Sequence, residues 1–241
     1  GTPELKVYSQ FDAKKREFKL LMQQHTPATA DQAEKQPLLL PVRIELLSEG
    51  RSQSYLLEMT EASQEFSFAV SQQPVPVLLA DFSAPVKLQY HYSLAELLQI
   101  AREAKDGVAR WDAIQQLWQL QVKAAIAAQH SGTDYQLPAA LLEFYRQLLL
   151  QPLDDLAFTA ELLTVPCYDM VAEQFEQIPV QEIVQALQGF RQQLAEKLAE
   201  QWLFCYQSLR SEAYQYEQQQ VAQRALRSVC LQYLCFVKDQ G

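Results

Sequence analysis

The sequence predicts a multi-domain fold with β structure first and α structure second: an antiparallel β-sandwich followed by an all-α, helical-repeat-like array. Three observations predict it. Up to about Tyr92, short β-branched and aromatic runs alternate with turn residues. Seven of the eleven prolines fall in that half, at strand edges or in connections where no ladder donor is lost. Beyond Tyr92 the apolar spacing changes from two to the three-or-four step of a helix. The expected division is therefore 1–92 and 93–241.

In chain order, strands are expected at 5–9, 18–23, 42–47, 54–58, 65–70, 77–82 and 86–90. The fifth alternates most plainly, with Phe66, Phe68 and Val70 on one face and Glu65, Ser67 and Ala69 on the other. Seven short strands in this length read as a sandwich of immunoglobulin-like type. Ser93 and Glu96 have the spacing of a capping box, in which hydroxyl and carboxylate satisfy opposite amides at a helix start. The next helix sets Trp111, Ile114, Trp118, Val122 and Ala125 on one face. A longer one places Ile183, Leu187, Phe190, Leu194, Leu198 and Trp202 at steps of three or four. The last aligns Ala222, Leu226, Val229, Tyr233 and Phe236. Gly107, Gly132, Pro138, Pro152, Pro166 and Pro179 punctuate about seven helices, and no strict repeat length recurs.

Composition narrows the function. The 241 residues are 49% apolar and 20% charged, enough for a real core. A net charge of -9 argues against a nucleic-acid partner, which would need a positive field for phosphates. Residues 1–92 carry 9 basic and 11 acidic groups, so the helical half holds most of the negative charge. No apolar run approaches the roughly 20 residues of a membrane span. The chain lacks Asn, and so lacks N-glycosylation sites, and its four cysteines show no disulfide spacing. A reducing, cytoplasmic location is expected. Position 1 is Gly rather than Met, which points to a chain processed or cut from something longer.

No catalytic, cofactor-binding or metal-ligating residue emerges. His25, His91 and His130 are far apart, and none belongs to an H-E-x-x-H pair that would set two imidazoles on one helix face. Cys230 and Cys235, five apart, diverge by roughly 140° on one helix, so buried thiols are expected rather than a metal pair. Cys167 and Cys205 sit in no catalytic signature. Asp154 and Asp155 form the one adjacent carboxylate pair and suit a helix N-terminus better than acid–base work. Six scattered glycines build no phosphate cradle. Arg110, Trp111 and Asp112 could form a small binding site, but equally suit a helix start whose Trp enters the core.

Four blocks carry a resemblance. Residues 24–46 (QHTPATADQAEKQPLLLPVRIEL) and 73–90 (QPVPVLLADFSAPVKLQY) closely resemble the non-catalytic C-terminal region of the gluzincin zinc metallo-aminopeptidases. The segments RWDA at 110–113 and RALRSVCLQYLCF at 224–236 resemble that family's helical region more loosely. Such enzymes hold their zinc ligands, catalytic Glu and Gly-x-Met-Glu-Asn motif in a separate catalytic domain, so no position here inherits those roles. The resemblance implies a sandwich spacer and part of a helical lid over the active site. It also implies the catalytic domain of the same polypeptide as partner, peptides as the parent's substrates and zinc as the parent's cofactor. A helical stack cut partway would expose the Ala222–Phe236 stripe and favour self-association. The alternative is a freestanding adaptor that binds a protein partner.

Overall fold

A computed structural model describes residues 2–30, 32, 35–48, 50–209 and 217–237. The chain divides into two compact units, Gly1–Ala113 and Ile114–Gly241.

The first unit contains seven strands: β1 (Glu4–Asp12), β2 (Glu17–His25), β3 (Leu40–Ser48), β4 (Arg51–Met59), β5 (Ser63–Ala69), β6 (Val75–Leu78) and β7 (Lys87–Gln89). They form one sheet in the order β5-β2-β1-β7 and another in the order β4-β3-β6. Every pair is antiparallel except β1 with β7, which runs parallel with Leu5 opposite Leu88. Alternation decides which side chains enter the core. Leu5 and Val7 of β1, Phe18, Leu20 and Met22 of β2, and Val42, Ile44 and Leu46 of β3 are all buried in one cluster. Tyr55 and Phe68, from different sheets, meet with ring centroids 4.8 Å apart. The expected alternation of β5 is present, with Phe68 buried and Glu65, Ser67 and Ala69 exposed.

One strand is shorter than expected. β6 stops at Leu78, not at residue 82, because Leu79, Asp81 and Phe82 take positive φ values of 59°, 55° and 51° and form a tight turn. Pro76 is tolerated because β6 is an edge strand.

Helix α1 (Leu94–Glu103) also belongs to the first unit. Its capping box is formed as read: the Ser93 amide donates to Glu96 Oε2 at 2.7 Å, and the Glu96 amide donates to Ser93 Oγ at 3.3 Å. Leu97, Leu98, Ile100 and Ala101 are buried, and the helix packs on β6 and β3.

Eight helices stand among the described residues: α1 and, after it, α2 (Gly107–His130), α3 (Ala139–Leu150), α4 (Leu156–Leu162), α5 (Tyr168–Ala172), α6 (Val180–Lys197), α7 (Ala199–Ser208) and α8 (Gln218–Leu234). The long helix expected through Trp202 is two. Leu198, at φ -124°, breaks it between α6 and α7, although all six side chains of the predicted stripe are buried. The break is held by the Leu194 carbonyl, which accepts from the Leu198 amide at 3.2 Å and from the Trp202 indole at 3.0 Å.

The second unit is built on aromatic contacts. Trp118 of α2 lies 5.2 Å from Phe190 and 6.1 Å from Tyr145. Tyr145 in turn meets Trp202 at 6.4 Å, and Trp202 stacks on Tyr233 at 4.2 Å. Five helices thus share one run of rings, each worth more than its buried area alone. The α8 stripe is not left open as expected. Leu226, Cys230 and Tyr233 are buried as α8 packs on α4 and α7, while Phe236 remains exposed.

Candidate functional site

The residues weighed for chemistry do not converge. His25 ends β2, His91 lies between β7 and α1, and His130 ends α2. His130 is exposed and has its Nε2 3.7 Å from Glu182. Among the described residues no group of three or more His, Cys, Asp or Glu side chains could hold a metal ion. No cluster of the described residues fits the zinc that the resemblance implies for the parent. Asp155 caps α4, accepting from the Phe158 amide at 2.9 Å, and Asp154 is exposed beside it. Arg110 donates from Nε to the Ala101 carbonyl at 2.7 Å and so binds α2 to α1; partial burial lowers its pKa. Trp111 is half-buried. The triplet lies in the first turns of α2, but Trp111 does not enter the core as the helix-start reading expected.

Cys205 and Cys230 are buried and Cys167 is exposed; Cys235, expected as a buried thiol, is exposed instead, because it lies at the C-cap just past the end of α8. Cys205 of α7 and Cys230 of α8 interact with each other: the interaction with Cys230 lowers the pKa of Cys205, and the same interaction, with burial, pushes that of Cys230 up.

The most organised polar constellation lies in the first unit, and sequence reasoning missed it. Glu45 projects from β3 to the side opposite Ile44 and is only 2% exposed. Its carboxylate accepts from Ser52 Oγ, and from the Lys105 amide at 3.2 and 3.3 Å. A buried carboxylate needs such donors to persist. Here they fasten the α1–α2 junction to the sheet.

Asp106 works with both oxygens. Oδ1 accepts from the Val108 amide at 3.0 Å at the start of α2, and Oδ2 accepts from the Asp81 amide at 3.0 Å. Asp81 in turn forms an ion pair with Arg43, whose own amide donates to Ser83 Oγ at 2.8 Å. These contacts hold the 79–83 turn. Three non-glycine residues with positive φ each cost about 1 kcal/mol or more, and such a conformation persists only where surrounding contacts over-determine it. Ala80 and Ala84 are buried at either end, while Phe82 at the tip is 77% exposed. A shallow groove of about 370 Å³ adjoins the turn, lined by Arg43, Tyr55, Leu56, Asp81, Lys105 and Asp106 among others. The chemistry of this arrangement is that of a fixed surface with an apolar tip and charged surroundings.

Signals for it were faint. Glu45 occupies an outward position in the strand alternation, and the covering α1–α2 junction buries it.

Comparison with known proteins places the chain. Residues 94–241 match the family described as a domain of unknown function (DUF3458_C) with ARM repeats, and residues 1–91 match a domain of unknown function (DUF3458) with an Ig-like fold. The chain is 36% identical to aminopeptidase N of Escherichia coli and 33% identical to aminopeptidase N of Haemophilus influenzae, in each case over 98% of its length. It spans 28% of the length of both proteins. Among solved structures, Legionella pneumophila aminopeptidase A in complex with aspartic acid shares the fold, with a TM-score of 0.81 at 24% identity over 98% of this chain and 28% of that one. The chain thus belongs to the DUF3458_C family of ARM-repeat domains, preceded by its Ig-like DUF3458 companion, and corresponds to a non-catalytic C-terminal portion of aminopeptidase N.

Proposed function

We propose that this chain is the non-catalytic sandwich and helical segment of a zinc aminopeptidase that removes N-terminal residues from peptides. Residues 1–92 act as a spacer, and 93–241 form part of the lid over an active site that lies elsewhere in the polypeptide. One observation carries the reading: identity to aminopeptidase N at 36% runs through 98% of the chain, so neither half is left over for a separate role. Zinc binding and peptide-bond cleavage belong to the remainder of the polypeptide, whose catalytic domain is the partner. The location is the cytoplasm; no helix among the described residues is long and apolar enough to cross a membrane.

The test follows cleavage of a chromogenic alanyl substrate and of a long unstructured peptide by a separately made catalytic segment, with and without this chain. Addition of the chain should lower the rate on the long peptide relative to the small substrate. An unchanged ratio, with the chain shown not to associate, overturns the lid role and leaves the adaptor reading in its place.

A further inference from the structure

We propose that Phe82, held out by the 79–83 turn, is the anchor through which the first unit seats on the catalytic segment of the same polypeptide. This rests on the aminopeptidase reading above. A phenylalanine ring 77% exposed to water gains nothing for this unit on its own. Yet the turn that carries it is held in a sparsely populated conformation by contacts from two separate elements: Arg43 of β3, which pairs with Asp81 and donates its amide to Ser83 Oγ, and Asp106 ahead of α2, which accepts from the Asp81 amide. Strain maintained to present an apolar side chain is the signature of a preorganised contact, because the ordering is complete before the partner arrives. The surroundings match the anatomy of an interface. Leu56, 57% exposed, lines the adjoining groove, and Arg43, Asp81, Lys105 and Asp106 supply a charged rim.

Size selects the occupant. A stable interface between separate molecules uses roughly 20–30 residues a side, and two apolar side chains in a shallow groove fall far short of that. They suffice between segments of one polypeptide, where tethering supplies an effective concentration of order mM. The aminopeptidase N relatives are long enough to provide such a segment, since this chain covers only 28% of each.

The experiment compares amide hydrogen exchange across residues 79–84 in the 241-residue chain and in the whole polypeptide that contains it, alongside alanyl-substrate turnover by the whole polypeptide. Exchange should be roughly tenfold slower in the whole polypeptide, the scale expected when an anchor side chain is covered. Phe82→Ser should remove that protection while leaving the exchange and melting temperature of the 241-residue chain unchanged, and Phe82→Leu should restore it. Equal exchange in both, with the whole polypeptide active, overturns the anchor and leaves the aminopeptidase reading intact. Protection that survives Phe82→Ser also overturns it, as does protection that appears in the 241-residue chain alone as its concentration rises, which would make a second copy the occupant. A whole polypeptide without aminopeptidase activity removes the reading on which the proposal rests.

Discussion

Two buried tyrosines in the helical unit differ in what their hydroxyls do. Tyr233 Oη donates to the Leu163 carbonyl at 3.0 Å and accepts from the Val165 amide at 3.4 Å, while Tyr145 Oη, near the Trp118 indole, has no hydrogen bond of ordinary geometry among the described residues. Removing one partner of a buried bond strands the other, at about 1–3 kcal/mol. Tyr233→Phe should therefore lower unfolding free energy by roughly 1–2 kcal/mol, whereas Tyr145→Phe should be neutral or slightly stabilising; urea titration of both variants checks the contrast. Glu45 is the corresponding case in the sandwich unit. Glu45→Ala strands the Lys105 amide and should destabilise by about 1–3 kcal/mol. Glu45→Gln keeps an acceptor and should recover part of that loss in the same titration.

At the scale of elements, local signals were legible and long-range ones were not. The Ser93–Glu96 box is contained within four residues, so its spacing alone revealed it. The alternation of β5 and the buried stripes of α2 and α6 follow from side-chain period and needed no partner to be read. By contrast, nothing in the sequence around Leu79–Phe82 marks a turn, since the residues with positive φ are not glycines and are held by Arg43 and Asp106, distant in the chain. The break at Leu198 was hidden for a similar reason: the apolar step continues through it, and the indole of Trp202 binds a carbonyl of the preceding helix. The open-stripe expectation for α8 failed because α4 and α7 cover its centre. Among the described residues near the chain's end, the exposed apolar ones are instead Leu203 and Phe204 on α7, with Val221, Leu231 and Phe236 on or just after α8. Self-association of the isolated chain should therefore depend on these. Sedimentation velocity should show concentration-dependent growth that Phe204→Ser and Leu231→Ser reduce; a clean monomer at high concentration contradicts it.

For the whole molecule, alkaline pH offers a sensitive probe. Burial raises the pKa of Tyr92, Tyr145 and Tyr233 above the ordinary value of 10.0, so the folded state holds their neutral forms. The unfolded chain ionises near pH 10 while the folded one resists. The associated stability is complete below about pH 10 and is lost as pH rises above it. Melting temperature should fall progressively as pH rises above about 10, more than exposed tyrosines alone would produce. The functional reading also belongs to this scale. The sequence showed two kinds of structure and no convergent catalytic groups, and the fold shows polar groups used structurally, in a helix cap and a turn clamp. The most direct measurement is alanyl-substrate turnover with zinc content, made on the 241-residue chain and on the whole polypeptide. The account predicts an inactive, zinc-free chain and an active, zinc-containing whole. Zinc-dependent turnover by the chain alone, or a whole polypeptide without turnover, would contradict it.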